Sequence, residues 1–348
     1  MFVIVLENEN YADSYVNNKH PWLGHKLQLQ GTLLTKYYGT GHHSLDNYIS
    51  MISGQAPSPE TSGDCPTYHD FTPSPATLDS NGQAVGGGCV YPSNVLTLAD
   101  QLNKKGVSWR GYMEDMGNTP GRESKPCGQP GDPSGAGVSD DTQGATAQDQ
   151  YAARHNPFVY FHSLLDSGLC KKHVFPLTTL TGNLKQASTT PKFVFITPNL
   201  CNDGHDAPCK GKDATGSNAG GLTSIDHWLS VWIPRIKQSA AYKKNGIIII
   251  TTDEAGSDNT ACCNEQPGPN SPSPGIQGPG GGRTGAIVLG KCVAAGKKDS
   301  TPYNHYSLLR TLEDLFGITT GGSDSKGHLG FAGASGLKPF GKDVFPNC

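Results

Sequence analysis

Two periods alternate along this chain. Unbroken apolar or β-branched runs fall at Phe2–Leu6, 107–113, Phe193–Thr197, Ile247–Thr252 and 286–289. Runs of this length without polar alternation predict strands covered on both faces. Between them, apolar residues recur at helical spacing. Leu45, Tyr48, Ile49 and Ile52 predict a short helix that opens near Ser44 and closes at Gly54. Val95, Leu96, Leu98, Ala99 and Leu102 predict a second, stopped at Gly106, where a left-handed cap is cheap for glycine. The stretch 222–242 carries Ile225, Trp228, Leu229, Trp232, Ile233 and Ile236 on one face, and Pro234 is expected to kink or divide it. A last helix over 306–316 ends at Gly317. Strands alternating with helices predict an α/β fold with one doubly wound, mostly parallel sheet flanked by helices.

Long insertions at 54–92, 116–148 and 256–283 interrupt this plan, rich in Gly, Pro, Ser and Asp and holding most of the cysteines. Loops of that length inside a domain are functional rims or disordered, and disulfides favour an ordered rim. No linker divides the chain, so residues 1–348 are expected to form a single domain. The net charge of −3 gives no footprint for nucleic acid or an anionic membrane. No apolar run approaches the roughly 18 residues of a membrane span. Nothing in the sequence speaks to oligomeric state.

The ten cysteines are Cys65, Cys89, Cys127, Cys170, Cys201, Cys209, Cys262, Cys263, Cys292 and Cys348. An even count without a CxxC pair favours disulfides over zinc, and disulfides imply an oxidising compartment. Adjacent Cys262 and Cys263 are expected to bond to different partners. Met1 leads straight into the first strand, without a basic n-region or cleavage site. The expectation of a secreted protein therefore rests on the cysteines.

Candidate chemistry gathers at strand ends. Glu7-Asn8 follows the first strand and Asp253-Glu254 follows Ile247–Thr252. Ligands of open parallel sheets collect at the carboxyl ends of strands, so these acids are expected to converge around a metal ion. Ser44 lies at a helix start, where free N–H groups and the positive dipole end suit a phosphate, although serine is also an ordinary N-cap. Asp203 and His205 follow Phe193–Thr197 and read either as ligands or an acid/base pair, or as a solvated turn clipped by Cys201 and Cys209. His155 and His305 taken alone read as packed or capping groups. Glu114-Asp115 reads either as a pair that reaches the crevice or, the favoured account, as a solvated acidic turn. No GxxxxGK[ST], strand-linked GxGxxG, HExxH or GxSxG is present.

Taken in order, six segments are similar to the phosphoesterase family of the alkaline-phosphatase-like superfamily. They are Val3-Ile4-Val5-Leu6-Glu7-Asn8, His42-His43-Ser44-Leu45-Asp46-Asn47-Tyr48, Arg154-His155-Asn156-Pro157-Phe158, the stretch from Thr197 to Asp206, Thr252-Asp253-Glu254, and Asn304-His305-Tyr306-Ser307-Leu308-Leu309-Arg310. The second resembles a nucleophile segment usually written HPS-L-P-N-Y. Any one is weak, but six in order are specific. The family includes secreted acid phosphatases, phosphatidylinositol-3-phosphate phosphatases and phospholipases C.

The resemblance implies that Glu7, Asn8, Ser44, Asp253 and Glu254 surround a divalent metal ion (Ca, Mg, Mn or Zn). It implies that Ser44 is the nucleophile, that Asn47, His155 and His205 serve the phosphoryl group or the leaving group, and that Asp203 and His305 hold a second metal or support the site. His43 and Asp46 stand where many members have proline, and Glu-Asn replaces the lone Asp of two-zinc members. The C/S-x-P-x-R segment of sulfatases is absent around Ser44.

The implied activity is that of a secreted metal-dependent phosphomonoesterase of the acid phosphatase type, with phosphoinositides among its candidate substrates. The chain shows no added domain of the kind long phospholipases C carry, which favours monoesters. The rival expectations are a phospholipase C or other phosphodiesterase, and a catalytically inactive fold used as a binding module.

Overall fold

The first strand of the chain lies in the middle of an eight-stranded sheet. The structure, a computed structural model, describes residues 1–131, 137–276 and 278–346. The strands are β1 (Phe2–Leu6), β2 (Thr32–Leu34), β3 (Trp109–Met113), β4 (Val174–Pro176), β5 (Phe193–Thr197), β6 (Ile247–Thr252), β7 (Ala286–Gly290) and β8 (Lys297–Asp299). Their order across the sheet is β8-β2-β7-β6-β1-β5-β3-β4. β7 pairs antiparallel with both neighbours, and every other pairing is parallel. The sheet is thus mostly parallel, as its sequence predicts, with one reversed strand. The reversal follows from the insertion after β6. The chain stays at the carboxyl rim of the sheet there, so it re-enters from that end.

Strand residues alternate between two cores, as the pleat requires. Val3, Val5, Phe193, Phe195 and Ile249 face one side. That side is covered by α1 (Ser44–Ser53), α2 (Leu98–Lys104) and, later in the chain, the helix His305–Leu315. Phe2, Ile4, Leu6, Val194, Ile196 and Ile250 face the other, under α3 (Gly221–Gln238) and α4 (Ala240–Asn245). The helix His305–Leu315 is α5. This is the covered-on-both-faces arrangement that unbroken apolar strands call for.

The helix ends follow local chemistry. α1 stops at Gly54, whose φ of 69° is left-handed and whose N–H bonds back to Ser50 O. α2 begins later than the apolar spacing suggests, because Thr97 and Asp100 form a capping box that Val95 and Leu96 precede. α3 runs through Pro234, and the break comes instead at Ser239. There the hydroxyl accepts the Tyr242 N–H and opens α4, while Ile233 and Ile236 stay packed on either side of the proline.

Disulfides order the insertions. Cys65–Cys89, Cys127–Cys170 and Cys201–Cys209 are bonded, and no cysteine is free among the described residues. Cys348 lies outside the described residues. Contrary to expectation, Cys262 and Cys263 are bonded to each other, with their Cα atoms 3.8 Å apart. Cys263 adopts a left-handed φ of 66°, and this turn brings the two thiols together. The first two insertions are also tied by a short antiparallel pairing of Thr67–Tyr68 with Val138–Ser139. No helix among the described residues is long and apolar enough to cross a membrane.

Candidate active site

Backbone pairing continues past the strand ends and gathers three acids. The Glu7 N–H donates to Asp203 O and the Asp253 N–H donates to Leu6 O, each at 2.9 Å. Glu7, Asp203 and Asp253 are all fully buried. Asn8 turns away with a left-handed φ of 52°, and its N–H donates to Asp253 Oδ1 at 3.3 Å. Burial comes first among the causes that raise the pKa of each acid, and neighbouring carboxylate charge adds to it.

α1 brings the nucleophile candidate onto this cluster. Ser44 Oγ donates to Glu7 Oε2 at 2.9 Å, and Tyr48, one turn later, donates to Glu7 Oε1 at 2.8 Å. Residues four apart on a helix share a face, so one carboxylate is straddled by two hydroxyls. The Tyr48 ring stacks on His155 with centroids 5.2 Å apart and planes 9° off parallel. His155 Nδ1 donates to Asp203 Oδ2 at 3.1 Å. Burial, then the charges of Arg154 and His205, holds its pKa well below the usual histidine range. The neutral ring therefore points the bare lone pair of Nε2 at Glu7 Oε1, 3.4 Å away.

That arrangement tests whether a cation fits. His155 Nε2 and Asp253 Oδ2 are buried without a hydrogen-bond partner. Glu7, His155 and Asp203 each offer a ligand atom within 4.8 Å of the others. A lone pair facing a carboxylate is repulsive unless a positive charge lies between them. Carboxylate oxygens with one imidazole nitrogen suit a hard or borderline divalent ion, so the residues fit.

The other expected residues hold the turn before Ser44. Glu254 accepts His42 Nδ1 at 2.6 Å and the His43 N–H at 3.2 Å. Burial opposes protonation of His42, but Glu254 outweighs it and the His42 pKa is raised. Asn47, expected to face substrate, spends its whole amide on backbone and a threonine. Its Oδ1 accepts the N–H groups of Thr40 (2.8 Å) and Gly41 (3.1 Å) and the Thr40 hydroxyl, and its Nδ2 donates to Gly41 O and His43 O. Asp46 is buried and accepts the Ser62 hydroxyl at 2.7 Å. Gly41 makes room for it, since a Cβ there would lie 2.4 Å from the Asp46 carboxylate. His305 donates through Nε2 to Asp253 O, and its Nδ1 accepts the Tyr37 hydroxyl at 2.9 Å. Both ring nitrogens are engaged and burial pushes the pKa down to about 4, so His305 supports the Asp253 backbone as a neutral ring.

A cationic wall completes the site. Arg154 is buried, donates to His205 Nε2 at 3.2 Å and to Gln143 O at 2.8 Å, and keeps Nε without a hydrogen bond. His205 Nδ1 donates to Asp206 at 2.8 Å, which leaves Nε2 as the acceptor. Asp64, from the first insertion, accepts the Leu45 N–H at 2.9 Å and lies 3.8 Å from Arg154 Nε. Tyr48, Arg154 and Asp64 were not expected here. Tyr48 and Arg154 fall inside the motif segments but read as a core position and a flank, and Asp64 carries no sequence signal.

A hydroxyl on a buried carboxylate, beside a guanidinium and an acceptor imidazole, is equipped for attack on an anionic ester. The chain matches the model of the Phosphoesterase family over residues 2–319. It belongs to that family. This phosphoesterase is similar to the phosphate-repressible acid phosphatase of Penicillium chrysogenum, with 25% identity over 296 residues, covering 84% of this chain and 54% of the relative. The acid phosphatase of Aspergillus fumigatus is 23% identical over 320 residues, 91% of this chain and 54% of that one. The phosphoesterase thus spans about half the length of these curated relatives.

Among solved structures, human ectonucleotide pyrophosphatase/phosphodiesterase 5 aligns with a TM-score of 0.51 at 10% identity, over 92% of this chain and 95% of that one. A Vibrio parahaemolyticus protein of the alkaline phosphatase superfamily aligns at 0.50 and 16% identity, over 94% and 68%. These likenesses are of fold alone.

Proposed function

We propose that this phosphoesterase is a secreted, metal-dependent phosphomonoesterase of the acid phosphatase kind, with Ser44 as its nucleophile. The observation that carries the reading is the Ser44 hydroxyl, held at 2.9 Å on buried Glu7, with buried Arg154 3.8 Å from the Asp64 carboxylate that accepts the N–H of the next residue, Leu45. The acid phosphatase names of its relatives support the reaction class, and the disulfides support an oxidising compartment.

Glu7, His155, Asp203 and Asp253 are the groups placed to hold a divalent ion, Ca, Mg, Mn or Zn. When bound, it supplies positive charge that screens the phosphate and acidifies a nearby hydroxyl. The Arg154 guanidinium binds phosphoryl oxygens and orients the ester. Ser44 Oγ forms a bond to phosphorus as the ester oxygen leaves, and Glu7 Oε2 is the acceptor already aligned with the hydroxyl proton. His205 Nε2 already accepts the Arg154 N–H at 3.2 Å, so His205 orients the guanidinium, and in the second step Glu7 Oε2 returns its proton to Ser44 Oγ while the proton of the attacking water leaves on the phosphate. Water then forms the new P–O bond, the bond to Ser44 breaks, and phosphate is released.

Ser44→Ala is expected to lower turnover of p-nitrophenyl phosphate by about a thousandfold or more (~4 kcal/mol). Acid quench of the parent should show a phosphoryl group on the Ser44 peptide by mass spectrometry. Unchanged turnover in the variant, or faster cleavage of a phosphocholine diester by the parent, overturns the reading. A parent inactive with all four metals would point instead to a binding module.

A further inference from the structure

A cavity of about 800 Å³ opens at the carboxyl ends of β3 and β5, on the α3 side of the sheet. Its volume falls in the range of small-molecule sites, and its place is where open α/β sheets bind ligands. None of Glu7, Ser44, His155 or Asp253 lines it. The 199–206 segment, clipped by Cys201–Cys209, is the partition. Asn199 and Asn202 line the cavity, while Asp203 and His205 belong to the catalytic cluster.

We propose that this cavity binds a neutral polyhydroxylated ring, a monosaccharide or a cyclitol. Its floor is Glu114, whose Oε2 accepts the Asn199 N–H (3.1 Å), the Asn202 amide (3.1 Å) and the Trp228 indole N–H (3.0 Å). Three donors on one oxygen fix the carboxyl group and leave Oε1 as a preset acceptor. Trp228 and Trp232, both buried and with ring centroids 5.8 Å apart, line the cavity with apolar edges that suit the C–H groups of a ring. Lys210 and Lys212 stand on the rim as exposed donors facing the same space.

Three carboxylates, Glu114, Asp115 and Asp213, and two ammonium groups share this one lining, and the Asp213 oxygens are already spent on Thr215, Ser217 and Gly220. Neither an anion nor a cation gains from both, whereas hydroxyls accept from the lysines and donate to Glu114. Because the wall is shared with Asp203 and His205, a ligand here bears on the segment that carries two site residues.

Isothermal titration of the parent with glucose, mannose and myo-inositol is expected to give saturable binding by at least one, with a Kd of about 1 mM or below. Glu114→Gln should weaken it about tenfold (~1.4 kcal/mol). Ala147→Trp, at an exposed rim position, should abolish it while leaving the melting temperature and p-nitrophenyl phosphate turnover at parent values. The proposal is overturned if none of the three binds at about 50 mM. It is also overturned if choline binds as tightly as the rings do, or if Ala147→Trp keeps parent affinity. Calorimetry reads occupancy directly, so this outcome is separate from the fate of the phosphatase reading.

Discussion

At Glu7, both carboxylate oxygens are claimed by hydroxyls from one helix, Ser44 on Oε2 and Tyr48 on Oε1. Tyr48→Phe removes one donor while keeping the ring stacked on His155. A hydrogen bond to a charged group is worth about 1.5–3 kcal/mol. The expected result is kcat lowered about tenfold or more with KM close to the parent, measured by steady-state kinetics; unchanged kcat would show that the stack alone positions the site. The positions of Glu7 and Asp253 were legible because strand ends announce themselves in local pattern, whereas Ser44 read locally as a cap and stood out only through chain order and the family-like segment around it. Tyr48 was not legible, because its spacing with Leu45, Ile49 and Ile52 is that of a core residue. Its polar task appears only where Glu7 and His155, remote in sequence, meet it. Asp64 acts through folding of an insertion that composition alone does not shape.

Among the elements, α5 carries a buried acid of its own, away from the Glu7 cluster. Glu313 is fully buried and accepts the Leu329 N–H at 2.9 Å. Its other oxygen has no partner, and burial pushes the pKa from 4.5 up to about 8. The folded chain therefore holds a proton that the unfolded chain releases near pH 4.5. That stabilisation is complete below 4.5 and is lost as pH rises through about 8. Urea melts of the parent should show stability falling across this window by on the order of a few kcal/mol, with a shallower fall in Glu313→Gln. An equal slope in both would contradict the assignment. The α5 helix itself was legible from its apolar spacing and Gly317. The reversed direction of β7 was not, since a strand's sequence does not record the end from which its loop delivers it. Pro234 misled for a related reason: packing of Ile233 and Ile236 carried α3 past a residue that local propensity alone would make a break.

Across the whole molecule, acids that follow β1, β5 and β6 converge, so a cation held by them would tie three strands together. A ligand that binds only the folded state at about 100 times its Kd adds ~2.7 kcal/mol. Chelation is therefore expected to lower the melting temperature by about 5 °C, restored by the cognate divalent ion, in differential scanning calorimetry. Identical melts with and without chelator would remove the cation from the account.

β1 also sets a timetable. It is synthesised first, yet its flanking partners pair Phe2 with Val194 on one side and with Ile248 on the other. On a ribosome this apolar ribbon waits, uncovered, until both partner strands, the later ending at Thr252, have emerged, the slow and aggregation-exposed circumstance of long-range parallel pairing. Nascent chains cut before Thr252 would present it to solvent, and export before folding would postpone that hazard to a compartment where the disulfide clips can close around it.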